Sequence, residues 1–244
     1  MIVAKNFARY GAAREAILEM VQNGDFSHPV YTNKLPPEGE LAQRVGVSTG
    51  TVREALRILE TEGIVSKVHG AGNFYHLSAL KTAMRIDKTH DFKKLLQSEG
   101  YSVEIERYNF QFRLPSEDER KIFGIEEEIL SYEMRYNTNS GVAIYLYNML
   151  LRKLIPADLE TLKQEAAHAD NLWDLSKERV STSVEELVPR QADKKEAELF
   201  RIPEDSPLIS VNETFYSYKD IPIGHAIIWF NPKIMKMHFV RKWS

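Results

Sequence analysis

Small hydroxyl side chains and an arginine lie close together in the stretch VGVSTGTVREAL. Ser48 is a favourable N-cap residue, and Thr49 and Thr51 would then occupy the first helical turn. Hydroxyls and backbone N–H groups at a helix N-terminus suit phosphate oxygens. Arg53, in the next turn, can donate to a phosphate or to the edge of a guanine. These residue types at this spacing indicate contact with a nucleic acid.

The surrounding sequence predicts the elements that would position this helix. Apolar periodicity predicts one helix over Ala12 to Val21, a second from Glu38 to Val45, and a third from Ser48 to Glu62. The segments IVSKV and NFYHL flank HGAG and predict a two-stranded hairpin. This order is a winged helix-turn-helix, in which the third helix projects into a major groove.

The predicted hairpin tip and several nearby cations complete the candidate interface. His69-Gly70-Ala71-Gly72 has little side-chain bulk, so it suits a narrow minor groove or the phosphate backbone. Residues 1–76 contain eight Lys and Arg against eight Asp and Glu, so the site must be a local patch. The candidate nucleic-acid-binding residues are Lys34, Arg44, Ser48, Thr49, Thr51, Arg53, Lys67, His69 and Gly70.

The first 77 residues resemble the GntR family of bacterial transcription regulators, through LPPEGELAQRVGVSTGTVREALRILETEGIV followed by HGAGNF. The resemblance implies DNA contacts by Arg53 and by the His69-Gly70 tip. The family usually has arginines where Gly39 and Thr49 stand here. Either this protein reads an unusual operator, or other cations from the candidate set take over.

The remainder of the chain is predicted to be α+β, and it resembles the HutC subfamily with its UTRA effector domain. The resemblance rests on DFKKLLQSEGYS, EMRYNTNSGVAIYLY, DNLWDLSKE and EAELFRIPEDSPLISVNETFYSYKDIPIGHA. It implies a mixed, chorismate-lyase-like fold with an antiparallel sheet that binds a small metabolite and forms the dimer. We therefore predict a DNA-binding domain over 1–77, a polar linker over 78–89 and an effector domain over 90–244.

The resemblance also points to effector-binding residues. An Arg-x-Arg strand motif commonly holds an anionic group in the family, and here it reads Glu133-Met134-Arg135. Alternation places both charges on one face of the strand, so they either meet a ligand or pair with each other. We expect an effector with at least one anionic group. The candidate effector-binding residues are Glu133, Arg135, Tyr145, Tyr147, Glu213, His225 and Trp229; the aromatic ones could equally be core residues.

Composition excludes several other classes. The chain has 244 residues, no cysteine and a net charge of −3, so disulfides, thiolate metal sites and a thiol nucleophile are excluded. The seven histidines lack metal-ligand spacing, and no catalytic or cofactor motif is present, so we expect no enzyme, cofactor or metal. No segment reads as a signal peptide or a membrane span, which predicts a cytoplasmic location.

The function expected from these observations is sequence-specific DNA binding, as a repressor controlled by a small-molecule effector. One recognition helix covers only a few base pairs, so we expect a homodimer on two operator half-sites. Two alternatives stay open. One is an effector-independent or co-repressor-binding module, and the other is an enzyme fused to a DNA-binding head.

Overall fold

A computed structural model describes residues 2–26, 32–87, 91–169 and 172–243, with side chains from residue 9 onward. The chain forms two compact units. One consists of Met1–His90 together with Met237–Ser244, and the other is Asp91–Lys236. Part of the predicted loop before the second helix, and the end of the predicted linker, lie outside the described residues.

The first unit has the predicted order of elements. They are α1 (Ile2–Asn23), α2 (Glu38–Val45), α3 (Thr49–Thr61), β1 (Val65–Val68), β2 (Gly72–Tyr75) and the single turn α4 (Leu77–Leu80). Gly46 ends α2 with a φ of 72°, which glycine adopts without strain. α1 is longer than the predicted Ala12 to Val21.

Apolar faces of the three helices form the core of the first unit. Ile17 of α1, Leu41 of α2 and Leu59 of α3 are fully buried, and Ile64 lies beneath the hairpin. Burial of each such side chain contributes about 1.5–3 kcal/mol before entropy is counted. This packing fixes α3 against the rest of the unit, so its polar face is held outward.

The segment after the hairpin is not the free polar linker that the sequence predicted. Ala79, Met84 and Arg85 are buried. The Arg85 guanidinium donates to the carbonyl of Glu62 at 2.8 Å and binds the Asp87 carboxylate at 2.5 Å. An arginine can be buried when acceptors neutralise it, and hydropathy alone does not reveal such acceptors. The described part of this segment is therefore packed against the end of α3.

The segment Met237–Ser244 packs on the first unit, although the sequence interpretation placed it in the effector domain. The His238 N–H donates to Met84 at 3.0 Å, and the His238 carbonyl accepts from Ile86 at 3.2 Å. Val240 lies against Gly63. Backbone hydrogen bonds carry no side-chain signature, which is why the sequence did not predict this docking.

Alanine at Gly63 should destabilise the first unit more than alanine at Gly46. Both glycines have left-handed φ values, +69° and +72°, so each substitution costs about 1–2 kcal/mol in backbone strain. A Cβ on Gly63 would also lie 2.9 Å from Val240, whereas one on Gly46 meets nothing within 4 Å. We expect about 1–3 kcal/mol of additional loss at Gly63.

Hydrogen exchange of the α3 amides measures the free energy of unfolding for this comparison. The additional loss should disappear when Val240→Ala is combined with Gly63→Ala, because the shorter side chain makes room. Equal losses for the two single variants would show that the C-terminal segment does not dock on Gly63 in solution.

The second unit is α+β, as expected. Its helices are α5 (Phe92–Ser98), α6 (Glu117–Phe123), α7 (Leu159–His168) and α8 (Lys194–Phe200), with 3-10 turns at Arg152–Leu154 and Leu172–Leu175. Its strands are β3 (Val103–Arg113), β4 (Ile129–Thr138), β5 (Gly141–Leu151), β6 (Thr182–Gln191), β7 (Pro207–Tyr216) and β8 (Pro222–Phe230). The strands form one antiparallel sheet in the order β3-β4-β5-β8-β7-β6.

Two capped helices cover parts of one sheet face. Ser116 begins α6 and Asp193 begins α8, each in a reciprocal capping box with a glutamate three residues later. α6 packs through Phe123 beside Met149 of β5, and α8 packs through Phe200 beside Tyr145 of the same strand. Polar side chains of both helices are thereby held at this face.

Candidate nucleic-acid interface and ligand site

The start of α3 is exposed and its first hydroxyls are hydrogen-bonded to the helix itself. The Ser48 hydroxyl accepts from the Thr51 N–H at 3.1 Å and lies 2.9 Å from the Thr51 hydroxyl. Thr49 and Gly50 are exposed beside them. The cap therefore leaves the N-terminal turn of α3 open to an incoming phosphate.

Three elements meet at a carboxylate next to this turn. Glu38, the first residue of α2, accepts from Arg53 of α3 at 3.1 Å from Nε and 2.9 Å from Nη2. Its other oxygen lies 3.9 Å from the Nζ of Lys67 on β1. The Arg53 and Lys67 side chains are 58% and 62% exposed, so both remain accessible to a ligand.

The remaining candidates divide into two groups. His69 and Gly70 form the exposed tip of the hairpin, and Lys34 forms an isolated bridge with Phe74 of β2. Arg44 is turned elsewhere: it binds Glu40 at 2.6 Å and donates to a carbonyl before the second helix at 3.3 Å. These contacts occupy part of the Arg44 guanidinium, and the assignment of each candidate to DNA stays a prediction.

In the second unit, six of the seven candidate ligand residues share one sheet face. Arg135, Tyr145 and Trp229 are direct neighbours across β4, β5 and β8. The next row on the same face contains Glu133 and Tyr147. Residues directly opposite one another in a ladder project to the same side. We call this surface, with His225 at its far end, the polar face.

Glu133 is the centre of a hydrogen-bonded group on the polar face. Its carboxylate accepts from the Tyr145 hydroxyl at 2.6 Å and from Asn109 at 2.9 Å, and Lys195 of α8 lies at 3.5 Å. Burial opposes ionisation of Glu133, but these hydrogen bonds and the Lys195 charge outweigh it and lower the pKa. The predicted alternative of a Glu133–Arg135 pair is wrong, because Lys195 is the cation beside Glu133.

Arg135 is differently placed. Its guanidinium lies over the Tyr108 ring at 4.6 Å. Its buried Nε has no hydrogen-bond partner, and neither has the buried Nε1 of Trp229 in the same row. Among the residues that the structure describes, no carboxylate lies within ion-pair distance of Arg135. Unsatisfied buried donors are rare in proteins, so Arg135 and Trp229 stay candidates for donating to a ligand.

A second polar network lies toward the other end of the polar face. Arg113 of β3 binds Glu119 of α6 at 2.6 Å and donates to the Tyr147 hydroxyl at 2.7 Å. His225 lies 3.0 Å from the Thr214 hydroxyl, and burial lowers the pKa of His225. Tyr147 and His225 are therefore engaged by neighbouring side chains.

Sequence reasoning missed several residues at this face. They are Asn109, Arg113, Arg190, Lys195 and Glu119. The Arg190 guanidinium lies 5.7 Å from the Trp229 ring, whereas Asn109, Arg113 and Lys195 contact Glu133, Tyr145 or Tyr147. Glu119 binds Arg113. They come from elements distant in sequence, so only the sheet order reveals them. The capping residue Asp193, which fixes α8, was the one signal in the sequence that could have led to Lys195.

The prediction for Glu213 is wrong in its placement. From the sequence, Glu213 was interpreted as preceding a strand. It lies inside β7 and faces the opposite side of the sheet, beside Ala226 and Glu185. Burial raises its pKa to about 7 against a hydrogen bond from Ser183, and the charge of Glu185 adds to the rise. The register of β7, which the sequence left open, decides this orientation.

No helix in the described ranges combines the length and the apolar character that crossing a membrane requires. No three His, Asp or Glu side chains among these residues are grouped so that they could hold a metal ion.

A winged helix-turn-helix unit joined to an antiparallel-sheet unit with a polar face defines a class of ligand-responsive DNA-binding proteins. Family comparison agrees with the geometry. Residues 9–74 match the model for "Bacterial regulatory proteins, gntR family", and residues 98–236, more than half of the chain, match the UTRA domain. The chain belongs to the GntR family, in its HutC subfamily, and is a DNA-binding transcriptional regulator with an effector-binding UTRA domain.

Individual relatives resemble the chain over different lengths. The HTH-type transcriptional repressor NagR of Bacillus subtilis is 22% identical over 218 residues, which is 89% of this chain and 88% of NagR. The regulator TreR of the same organism is 34% identical over 83 residues, 34% of each chain. Among solved structures, the possible regulator YydK of Bacillus subtilis has a TM-score of 0.73 at 17% identity, covering 97% of this chain and 99% of YydK.

Proposed function

We propose that this protein is a repressor that binds its operator as a homodimer and releases it when an anionic metabolite binds the polar face. Repression is carried over from NagR, whose name describes a transcriptional repressor and which matches nearly the whole chain. The DNA contacts are assigned to Arg53, Lys67, Lys34, the start of α3 and the hairpin tip. Thr49 and Gly39 stand where the family usually has arginines.

The observation that carries the ligand assignment is Arg135. Two nearby charge pairs are already formed: Lys195 lies beside Glu133, and Arg190 binds Glu196 at 3.2 Å. Within the part of the chain that the structure describes, Arg135 forms no ion pair of this kind, although Glu106 of β3 lies opposite it in the sheet, and its Nε lacks an acceptor. A carboxylate or phosphate would satisfy both the charge and the hydrogen bond. Since Lys195 already compensates the charge of Glu133, the effector needs no cationic group at this position.

Two arguments support the dimer. A single recognition helix reads only a few base pairs, so sufficient specificity needs two half-sites. The second unit also ends in an exposed edge strand, β6, on which Val184 and Leu187 are 62% and 43% exposed. Exposed apolar edge strands promote association with another chain unless they are covered. We assign the dimer contact to this edge.

The experiment uses the full-length protein and a randomised duplex pool. Selection should enrich an inverted repeat, and sedimentation should give two chains per duplex. A thermal-shift screen of carboxylated and phosphorylated metabolites should then identify a compound that stabilises the protein and lowers its affinity for the selected duplex. Failure to enrich any sequence would contradict operator binding, and a response confined to uncharged or cationic compounds would contradict the anionic effector.

Gly39→Arg should strengthen binding to every duplex. Gly39 is exposed on α2, and a Cβ there meets nothing within 4 Å, so the structure has room for an arginine. One additional phosphate contact makes the slope of log affinity against log salt steeper by about 0.9. Salt titrations of wild type and variant on the selected and a scrambled duplex measure this slope. An unchanged slope would show that this position of α2 does not approach the DNA backbone.

A further inference from the structure

The carboxylate of Glu38 accepts hydrogen bonds from one edge of the Arg53 guanidinium and makes none with the other edge. Both hydrogen bonds come from the Nε side of the guanidinium, since Nε and Nη2 share the oxygen Oε2. The outer edge, formed by Nη1 and the second N–H of Nη2, points away from this oxygen. An end-on edge of this kind matches the O6 and N7 acceptors of guanine in the major groove.

The ion pairs of Glu38 contribute little to stability. Glu38 is 21% exposed and lies in the first turn of α2, but its partners Arg53 and Lys67 are 58% and 62% exposed, and ion pairs with such exposed partners add little to the folding free energy. A carboxylate at a surface that meets DNA also repels phosphates. The position of Glu38 therefore weakens non-specific attraction to DNA, and a role in sequence selectivity would explain why a carboxylate is there.

Charge explains how Glu38 would direct Arg53. The Arg53–Glu38 pair is neutral as a unit, so Arg53 gains less from a phosphate than an isolated arginine would. Hydrogen-bond donation to a guanine edge depends on the orientation of the Arg53 guanidinium, and the hydrogen bonds to Glu38 fix that orientation. The second carboxylate oxygen, 3.9 Å from Lys67, connects the same residue to the hairpin.

We infer that Glu38 is a specificity-determining positioning residue, which presents the outer edge of Arg53 to a guanine and coordinates it with Lys67 of the hairpin. The inference rests on the proposed operator binding by α3. It assigns to the first residue of α2 a role in base selection without any contact of its own with a base.

Glu38→Gln tests this inference in the full-length protein, with the duplex selected by wild type and a scrambled duplex as probes. The variant keeps the size of the side chain and removes its charge. Affinity for the scrambled duplex should rise, because a repulsive charge is lost. Affinity for the selected duplex should fall, so the ratio of the two should fall about tenfold or more. Arg53→Ala and Glu38→Gln should relax the preference at the same base pair.

Glu40→Gln is the matched control, because Glu40 lies on the same helix and also binds an arginine, Arg44. It changes the net charge equally, and its specificity ratio should stay within about twofold of wild type, the range expected of an exposed pair. Glu38→Asp keeps the charge but shortens the side chain. Its specificity ratio should therefore fall, while its affinity for the scrambled duplex should not rise. In an Arg53→Ala background, Glu38→Gln should change the ratio no further.

Two results would overturn the inference: equal specificity ratios for Glu38→Gln and Glu40→Gln, or relaxation of a different base pair from that of Arg53→Ala. Thermal unfolding of each variant shows whether the fold is retained, and Glu38→Asp keeps the test valid if the glutamine variant is unstable. If wild type itself selects no sequence, it is the proposed function that fails, before the role of Glu38 is addressed.

Discussion

Arg135→Ala is expected to abolish the release of operator DNA by metabolite while operator affinity stays within about twofold of wild type. Arg135 lies in the second unit, whereas the residues assigned to DNA lie in the first. Coupling between two sites requires a ligand that binds one state better than the other. Without Arg135, the effector loses a charge-assisted hydrogen bond, and with it most of the difference between its affinities for the two states.

Titration of metabolite against a preformed protein–duplex complex measures this effect by fluorescence anisotropy. Arg120→Ala serves as the control, since Arg120 is an exposed residue of the second unit that lies 3.8 Å from Glu126 and donates to the Pro115 carbonyl at 3.3 Å. It should respond like wild type. If Arg135→Ala still releases DNA at the wild-type metabolite concentration, Arg135 has a structural role on the strand and the ligand lies elsewhere.

Glu213→Gln should stabilise the second unit at alkaline pH and have little effect at acidic pH. The pKa of Glu213 is raised to about 7 from an ordinary value of 4.5, mainly by burial. The folded protein therefore holds a proton that the unfolded chain releases, and wild-type stability falls as pH rises from about 4.5 to about 7. Glutamine has no such proton, so the variant avoids up to about 3 kcal/mol of this loss.

Urea unfolding at pH 5 and pH 8 measures the difference between variant and wild type. Glu185→Gln is the comparison: Glu185 faces Glu213 across the strands and its pKa is raised by burial, but its side chain is more exposed. Glu185→Gln should also stabilise the protein more at pH 8 than at pH 5, but by a smaller free energy. If the stability difference between Glu213→Gln and wild type is the same at both pH values, the pKa of Glu213 is not raised in the folded protein.

Local signals in the sequence were sufficient for the helices and the hairpin of the winged helix-turn-helix. The Ser48 cap, the glycine that ends α2 and the helical periodicity each act within a few residues, and the structure places those elements as predicted. Alternation likewise placed Glu133 with Arg135, and Tyr145 with Tyr147, on common faces. Such patterns are reliable because side-chain direction repeats every two residues in a strand.

What the sequence did not reveal depends on contacts between distant segments. β8 lies between β5 and β7, so the partners of Tyr145 and Trp229 follow from a non-sequential strand order. Lys195 reaches Tyr145 from a helix 50 residues away in the chain. The sequence did not assign Glu213 to a face, because one residue of register reverses every side chain of a strand.

The docking of Met237–Ser244 on the first unit has a consequence for biosynthesis. The first unit is discontinuous in sequence, because its last backbone hydrogen bonds, between His238 and Met84, join residues that leave the ribosome far apart in time. Domains otherwise fold in the order in which they are synthesised. Here the winged helix can form early, but the packing around Gly63 and Arg85 is complete only after the whole effector unit has emerged. A nascent chain that carries no effector unit therefore also carries an unfinished DNA-binding unit.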